Sequence, residues 1–261
     1  MKIIVCIKQV PDTTEVKLDP KTGRLIRDGV PSIINPDDKN ALEEALHIKD
    51  ENPDTTVTVV SMGPPQADVA MREALAMGAD EAILISGREF GGSDTWATSY
   101  IIATAIKKIP DYDIIFCGRQ AIDGDTAQVG PQIAEQLNIP QITYVQKLDI
   151  EGDKVIVQRQ LEDGYTVVEA KMPVLLTAIK ELNTPRYMTP KGIFEAYNKT
   201  VQVWGFNDVP VDAEKIGLKG SPTNVNRTFS PEAKGKGIML EGADKETVKT
   251  LIAKLDEKHL L

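Results

Sequence analysis

The chain has 261 residues, 41% hydrophobic and 26% charged, the balance of a globular protein with one large domain and room for an appendage. A formal charge of −9 argues against nucleic acid or an anionic membrane as the main partner. Ile3–Ile7 is too short an apolar run for a signal peptide, and no stretch reaches the roughly 20 apolar residues of a membrane span, so a cytoplasmic location is expected.

Ile3–Ile7 reads as the first strand and leads into Lys8–Asp12. Val16–Gly29, with Asp19-Pro20-Lys21-Thr22-Gly23 at its centre, reads as a small hairpin or excursion. Asn35-Pro36-Asp37-Asp38 has the composition of a helix start: a capping side chain, a proline at the first helical position and two carboxylates that complement the dipole. Asn35 is either a pure cap or a cap that also touches ligand. Thr56–Ser61 is the second strand, Ala67–Met77 the second helix with Gly78 as its left-handed stop, and Glu81–Ser86 the third strand. The loop Gly87–Trp96 carries Arg88, Phe90, Gly91 and Gly92, and Ser93 or Asp94 caps a third helix over Thr95–Lys108.

The fourth strand, Ile114–Cys117, runs into Gly118-Arg119-Gln120-Ala121-Ile122-Asp123-Gly124-Asp125-Thr126-Ala127-Gln128-Val129-Gly130-Pro131 and then a helix containing Ile133–Leu137. Small residues between a strand and a helix start let the backbone approach an anion, so this loop is a candidate phosphate cradle for a nucleotide or dinucleotide. It matches neither Gly-x-Gly-x-x-Gly nor the lysine-bearing P-loop. Asp123 and Asp125 would repel a pyrophosphate and suit a cap, a ribose hydroxyl or a pairing with Arg119; an ordinary strand–loop–helix connection is the alternative.

Strands alternating with helices at this spacing predict a doubly wound, parallel α/β sheet, Rossmann-like. The loops Lys8–Asp12, Met62–Pro65, Arg88–Thr95 and Gly118–Gln128 then share the edge where ligands bind. In the strand order 3-2-1-4-5, Cys6 and Cys117 lie side by side. With two cysteines and two histidines, neither a zinc nor an iron–sulfur site is expected, and the thiols read as buried and free. From about Gln141 the pattern changes: Val155–Gln160, Tyr165–Lys171 and Val174–Ile179 are consecutive strands, with Asp163-Gly164 as a hairpin turn. Phe206–Phe229 reads as an irregular arm, and Asp244–Lys258 as a closing helix with Val248, Leu251, Ile252 and Leu255 on one face. The expected division is residues 1–195 for the nucleotide-binding domain with its added hairpin strands, and 196–261 for an arm and helix that pack on partner subunits.

Val5-Cys6-Ile7-Lys8, Asn35-Pro36, Ser61-Met62-Gly63-Pro64, Ala74–Asp80, Gly118–Asp123 and Asn183-x-Pro185-Arg186-Tyr187 together resemble the β subunit of electron transfer flavoprotein. The resemblance spans nearly the whole chain. It implies an adenine-nucleotide α-hydrolase (HUP-like) fold and a heterodimer with an α subunit that carries FAD; ordinary members hold AMP in the β-subunit cradle. Asp123–Pro131 together with Arg88-x-Phe90-x-Gly92-x-Asp94-Thr95 looks like the electron-bifurcating branch, in which a second FAD replaces AMP. The candidate cofactor contacts are then Cys6, Ile7, Lys8, Asn35, Asp38, Met62, Gly63, Asp94, Thr95, Gly118, Arg119, Gln120 and Asp123–Gly130 (Asp123, Gly124, Asp125, Thr126, Ala127, Gln128, Val129, Gly130). NADH, the electron donor, is expected at Arg88, Phe90, Gly91 and Gly92. One of its electrons would go to ferredoxin, the other through the α-subunit FAD to a partner dehydrogenase, acyl-CoA or related. The chain would not be catalytic alone. Where ordinary members carry a docking leucine, this sequence has Pro190, which leaves the dehydrogenase open. The alternatives are a non-bifurcating carrier with AMP and a nucleotide sensor with no redox role.

Overall fold

The computed structural model describes residues 1–12, 31–226 and 235–261. The expected Val16–Gly29 excursion and the last residues of the expected arm lie outside the described residues.

The elements, in chain order, are β1 (Lys2–Cys6), β2 (Gln9–Pro11), β3 (Ser32–Ile34), α1 (Pro36–Glu51), β4 (Thr56–Met62), α2 (Asp68–Met77), β5 (Glu81–Ile85), α3 (Thr95–Ile106), β6 (Ile114–Gly118) and α4 (Val129–Leu137), followed by β7 (Gln141–Glu151), β8 (Lys154–Gln160), β9 (Tyr165–Lys171), β10 (Val174–Ala178), α5 (Pro190–Asn198), β11 (Val201–Trp204), α6 (Gly217–Gly220) and α7 (Lys245–Asp256). A nine-stranded sheet has the order β11-β5-β4-β1-β6-β10-β7-β8-β9, and β2 and β3 form a separate antiparallel pair. The order β5-β4-β1-β6 is the doubly wound 3-2-1-4 expected from the sequence, with all three pairings parallel.

Alternate residues of the central strands feed two cores, one on each face. Ile3 and Val5 pack with Leu42 and Leu46 of α1 and Met71 and Leu75 of α2. Ile4 and Cys6 pack with Ile101 and Ile106 of α3 and Ile133 of α4. Every residue of β6 and β10 is buried, Thr177 being the one polar side chain among them, as befits strands covered on both faces. Each fully buried Ile, Leu or Phe contributes roughly 1.5–3 kcal/mol. Gly78 ends α2 with φ of 135°, as its expected role as a helix stop requires.

The three consecutive strands expected near the C-terminal end do not stay together. β8, whose residues alternate between buried and partly buried at its start, and β9, whose residues are partly buried or exposed, form an antiparallel meander with β7 at the edge. The fully buried β10 returns to the centre and pairs in parallel with both β6 and β7. A strand buried on both faces belongs in the middle of a sheet, whereas a half-polar one is stable at its rim.

The compact unit runs from Met1 to Val225, past the expected boundary at residue 195. β11 adds in parallel to β5. Val209 and Ile216 are buried with Phe90 against the α3 side of the sheet, and Trp204, Phe206 and Val211 pack on the same cluster. The first half of the expected arm is therefore held by this chain's own core. Asn226–Leu261 is a second unit, in which the Asp244 side chain accepts from the Thr247 amide to cap α7. Val248, Leu251 and Ile252 are exposed there. Among the described residues no helix is long and apolar enough to cross a membrane.

Candidate functional site

The strand order reverses between the parallel neighbours β1 and β6, and a buried carboxylate joins their carboxyl ends. Asp38, in the first turn of α1, accepts the Lys8 amide at 2.8 Å on Oδ2 and the Gly118 amide at 2.9 Å on Oδ1. Burial pushes its carboxyl up to about 7, against hydrogen bonds from Lys8, Asn35 and Gly118 that hold it down. Gly118 is there because nothing larger fits. A Cβ would stand 2.3 Å from Asp38 Oδ1 and 2.6 Å from the Asp38 amide nitrogen.

Asn35 is fully buried and occupies the N-cap position, but its side chain makes no cap hydrogen bond. Its amide donates to the Gln120 carbonyl at 2.8 Å, and its carbonyl accepts the Ile122 amide at 3.0 Å. It is a clamp on the loop after β6 rather than a pure cap. Cys6 and Cys117 are register partners on neighbouring strands, both buried and free. Their mutual hydrogen bond, with burial second, holds the Cys117 thiol well above its ordinary range, which makes it a poor nucleophile.

The loop itself is pinned at its base and open at its tip. Lys8 Nζ meets Asp123 Oδ1 at 2.6 Å, Gln120 donates to Asp125, and the Gly124 and Asp125 amides both turn back to the Ala121 carbonyl. Arg119 therefore pairs with neither Asp123 nor Asp125. Its guanidinium stands 3.3 Å from Asp37 without hydrogen-bond geometry and lies 5.9 Å from the centre of the Tyr144 ring. Burial raises the Asp37 carboxyl, and Arg119 opposes that shift.

Beyond Asp125 the amides of Thr126, Ala127 and Gln128 have no partner among the described residues. The first helical amides, Val129 and Gly130, have none within α4, whose N-cap Gln128 supplies no side-chain bond. Asp125 and Ala127 hold left-handed φ of 55° and 51°, a turn that exposes consecutive N–H groups. A run of unpaired donors at an uncapped helix start fits a phosphate. Gly124 is open on its Cβ side, so this glycine does leave room for a ligand. Gly130 does not: a Cβ there would meet the Thr177 methyl at 2.9 Å, so it serves the packing of α4 on β10.

The Arg88–Asp94 loop is spent differently. Phe90, expected to flank a dinucleotide, is 3% exposed and packs in the core, so its ring is unavailable to a ligand. The space above Gly92, at φ of 82°, is taken by Leu218, whose Cβ would lie 3.2 Å from an added methyl. Asp94 caps α3 by accepting the Ala97 amide at 3.0 Å, and it also accepts the Thr223 amide and hydroxyl. Slight burial raises this carboxyl, but those hydrogen bonds outweigh it and leave it lowered. Arg88 and Gly91 are exposed. Thr95 Oγ1 donates to Gln128 Oε1 at 3.0 Å, so the two loops meet at the starts of α3 and α4.

Cys6, Ile7, Lys8, Met62, Gly63, Asp94, Thr95 and the 118–130 loop thus share the carboxyl edge of the parallel strands. Two cavities, of about 350 and 990 Å³, are lined by other parts of the molecule. Sequence reasoning missed Asp37 as the partner of Arg119, although it stands in the same acidic pair as Asp38. It also missed Tyr144, Ser221 and Thr223, which reach the edge from segments whose periodicity says nothing of it.

The electron transfer flavoprotein domain profile matches residues 22–209. The chain belongs to the electron transfer flavoprotein β-subunit family. It is 62% identical over 262 residues to the electron transfer flavoprotein subunit beta of Thermoanaerobacterium thermosaccharolyticum, covering 100% of both chains. Over the same length and coverage it is 58% identical to caffeyl-CoA reductase-Etf complex subunit CarD of Acetobacterium woodii. It is 53% identical over 269 residues to the acryloyl-CoA reductase electron transfer subunit gamma of Anaerotignum propionicum, again covering both chains completely.

Proposed function

We propose that this β subunit binds FAD at the 118–130 loop and takes electrons from NADH. One electron passes to ferredoxin and the other, through an α-subunit FAD, to an acyl-CoA or related dehydrogenase. The observation that carries this reading is the run of unpaired amides from Thr126 to Gly130 at the uncapped start of α4. Those amides would hold the pyrophosphate. Asn35 and Asp38 would hold the walls of the cradle fixed around the rest of the nucleotide. A bound flavin supplies the two-electron and one-electron chemistry; the chain supplies position and electrostatics.

A ligand longer than a mononucleotide is favoured because the cradle continues sideways through the Thr95–Gln128 contact to the Arg88 loop. Asp94 already fills the start of α3, so the cation at that end is Arg88, exposed and free to meet the NADH phosphates. The relatives named as subunits of caffeyl-CoA and acryloyl-CoA reductase systems support a reductase of that class as the partner. The second reading, a carrier with AMP in the same cradle, rests on the same amides and needs no Arg88.

Cofactor analysis of the heterodimer separates the readings. Two FAD per heterodimer are expected. One FAD plus AMP would establish the carrier, and no flavin would leave a nucleotide-binding protein without a redox role. Arg88→Ala is expected to raise the Michaelis constant for NADH about ten- to hundredfold, the cost of one charge-assisted contact, with FAD content unchanged. An unchanged constant at full flavin loading would remove NADH from this loop.

A further inference from the structure

Tyr144 has φ of 57° in the middle of β7, a left-handed conformation that is costly for a bulky residue inside a strand. It sits at a bulge. Leu176 pairs with Ile142 and Ala178 with Val145, so three residues of β7 span two of β10. Ile142 and Val145 both point into the same core as a result. In an unbroken strand the residue two beyond Ile142 would share its face, and that residue is Tyr144. The bulge instead leaves Tyr144 half-buried outside that core, with its ring 5.9 Å from the Arg119 guanidinium carbon.

The strained residue is held from below. Its amide donates to Thr177 Oγ1 at 3.2 Å, and the methyl of the same Thr177 packs where Gly130 leaves α4 without a side chain. Arg119 is fixed at its own amide, which donates to the Ala178 carbonyl at 2.8 Å. Its guanidinium is otherwise loosely held: Nε is buried, unbonded and 3.3 Å from a buried, unbonded Asp37 oxygen. A flat cation with one aromatic face beside it and an imperfect carboxylate partner has hydrogen-bonding capacity left for a ligand.

We propose that Tyr144 is a positioning residue for nucleotide binding: the β7 bulge aims its ring at Arg119 and so orients that guanidinium toward the anionic ligand of the cradle. This rests on the nucleotide-binding reading above. The ring face is what acts, so the hydroxyl is dispensable.

The test uses the heterodimer, with β-site nucleotide content measured after dialysis and re-binding of FAD and of AMP measured by calorimetry. Tyr144→Leu is expected to weaken binding about tenfold at an unchanged melting temperature. Tyr144→Phe should bind like wild type. Tyr144→Gly, which relieves the positive φ and keeps the fold if leucine does not, should show the same loss as leucine. In an Arg119→Gln background, Tyr144→Leu should have no further effect. Wild-type affinity in Tyr144→Leu would overturn the proposal, and so would a tenfold loss that persists without Arg119. A wild-type protein that binds neither FAD nor AMP would overturn the nucleotide-binding reading and this one with it.

Discussion

Two glycine-bearing loops leave the same edge of the sheet, and their hydrogen bonds set them apart. In the loop after β5, Phe90 is buried, Gly92 makes room for Leu218, and Asp94 is bonded to both α3 and Thr223. In the loop after β6, the base is clamped by Asn35 and Asp38, while the amides from Thr126 to Gly130 have no partner among the described residues. Glycine content is a poor guide to a ligand cradle; the partners of the N–H groups are a better one. The anchors differ in kind as well. Asp38 is a buried carboxylate raised to about 7, and Asp94 a hydrogen-bonded one lowered from its ordinary value.

Gly118→Val forces a side chain into Asp38 and the backbone of α1, and should cost about 3 kcal/mol or more in denaturant unfolding. A variant as stable as wild type would mean that α1 and β6 are not in this contact.

The two anchors should respond to pH in opposite directions. The folded value of Asp38 lies above its ordinary 3.8, so the folded chain binds the extra proton between about pH 4 and 7. Its contribution to stability falls as pH rises through that window and levels off above it. Asp94 is lowered, so its contribution is present above about pH 4 and is lost as pH falls through its folded value. Asp38→Asn should therefore flatten the stability–pH curve between about pH 4 and 7. Asp94→Ala should cost about 1 kcal/mol at neutral pH, the usual worth of a cap, and less in acid. An unchanged slope in Asp38→Asn would show that its carboxyl titrates normally.

Gly124→Val should leave stability unchanged, because its side chain enters open space. If that space belongs to the nucleotide, the same variant should purify without β-site nucleotide and keep the α-subunit flavin. Full retention of nucleotide would place the ligand elsewhere.

The chain's own order of apolar runs and caps determined a good deal. β1, β4, β5 and β6 with their intervening helices, and the shared edge on which Lys8, Met62, Thr95 and Gly118 stand, follow from local periodicity and from the handedness of parallel connections. The motifs also carried the family, which the profile over residues 22–209 bears out. Tertiary contacts decided what those local rules do not encode. β10 belongs beside β6, and Val209 and Ile216 cover Phe90, because an apolar segment goes wherever buried surface is available, however distant in sequence. Asn35 turned from a cap into a clamp because its buried amide bonds to the loop backbone that the fold brings within about 3 Å, and Arg119 stands beside Asp37 and the Tyr144 ring because α1 and β7 reach the same edge. The left-handed turn of Tyr144 has no local signature at all. It exists because the core needed both Ile142 and Val145, and two neighbouring strands could supply that only with one residue too many.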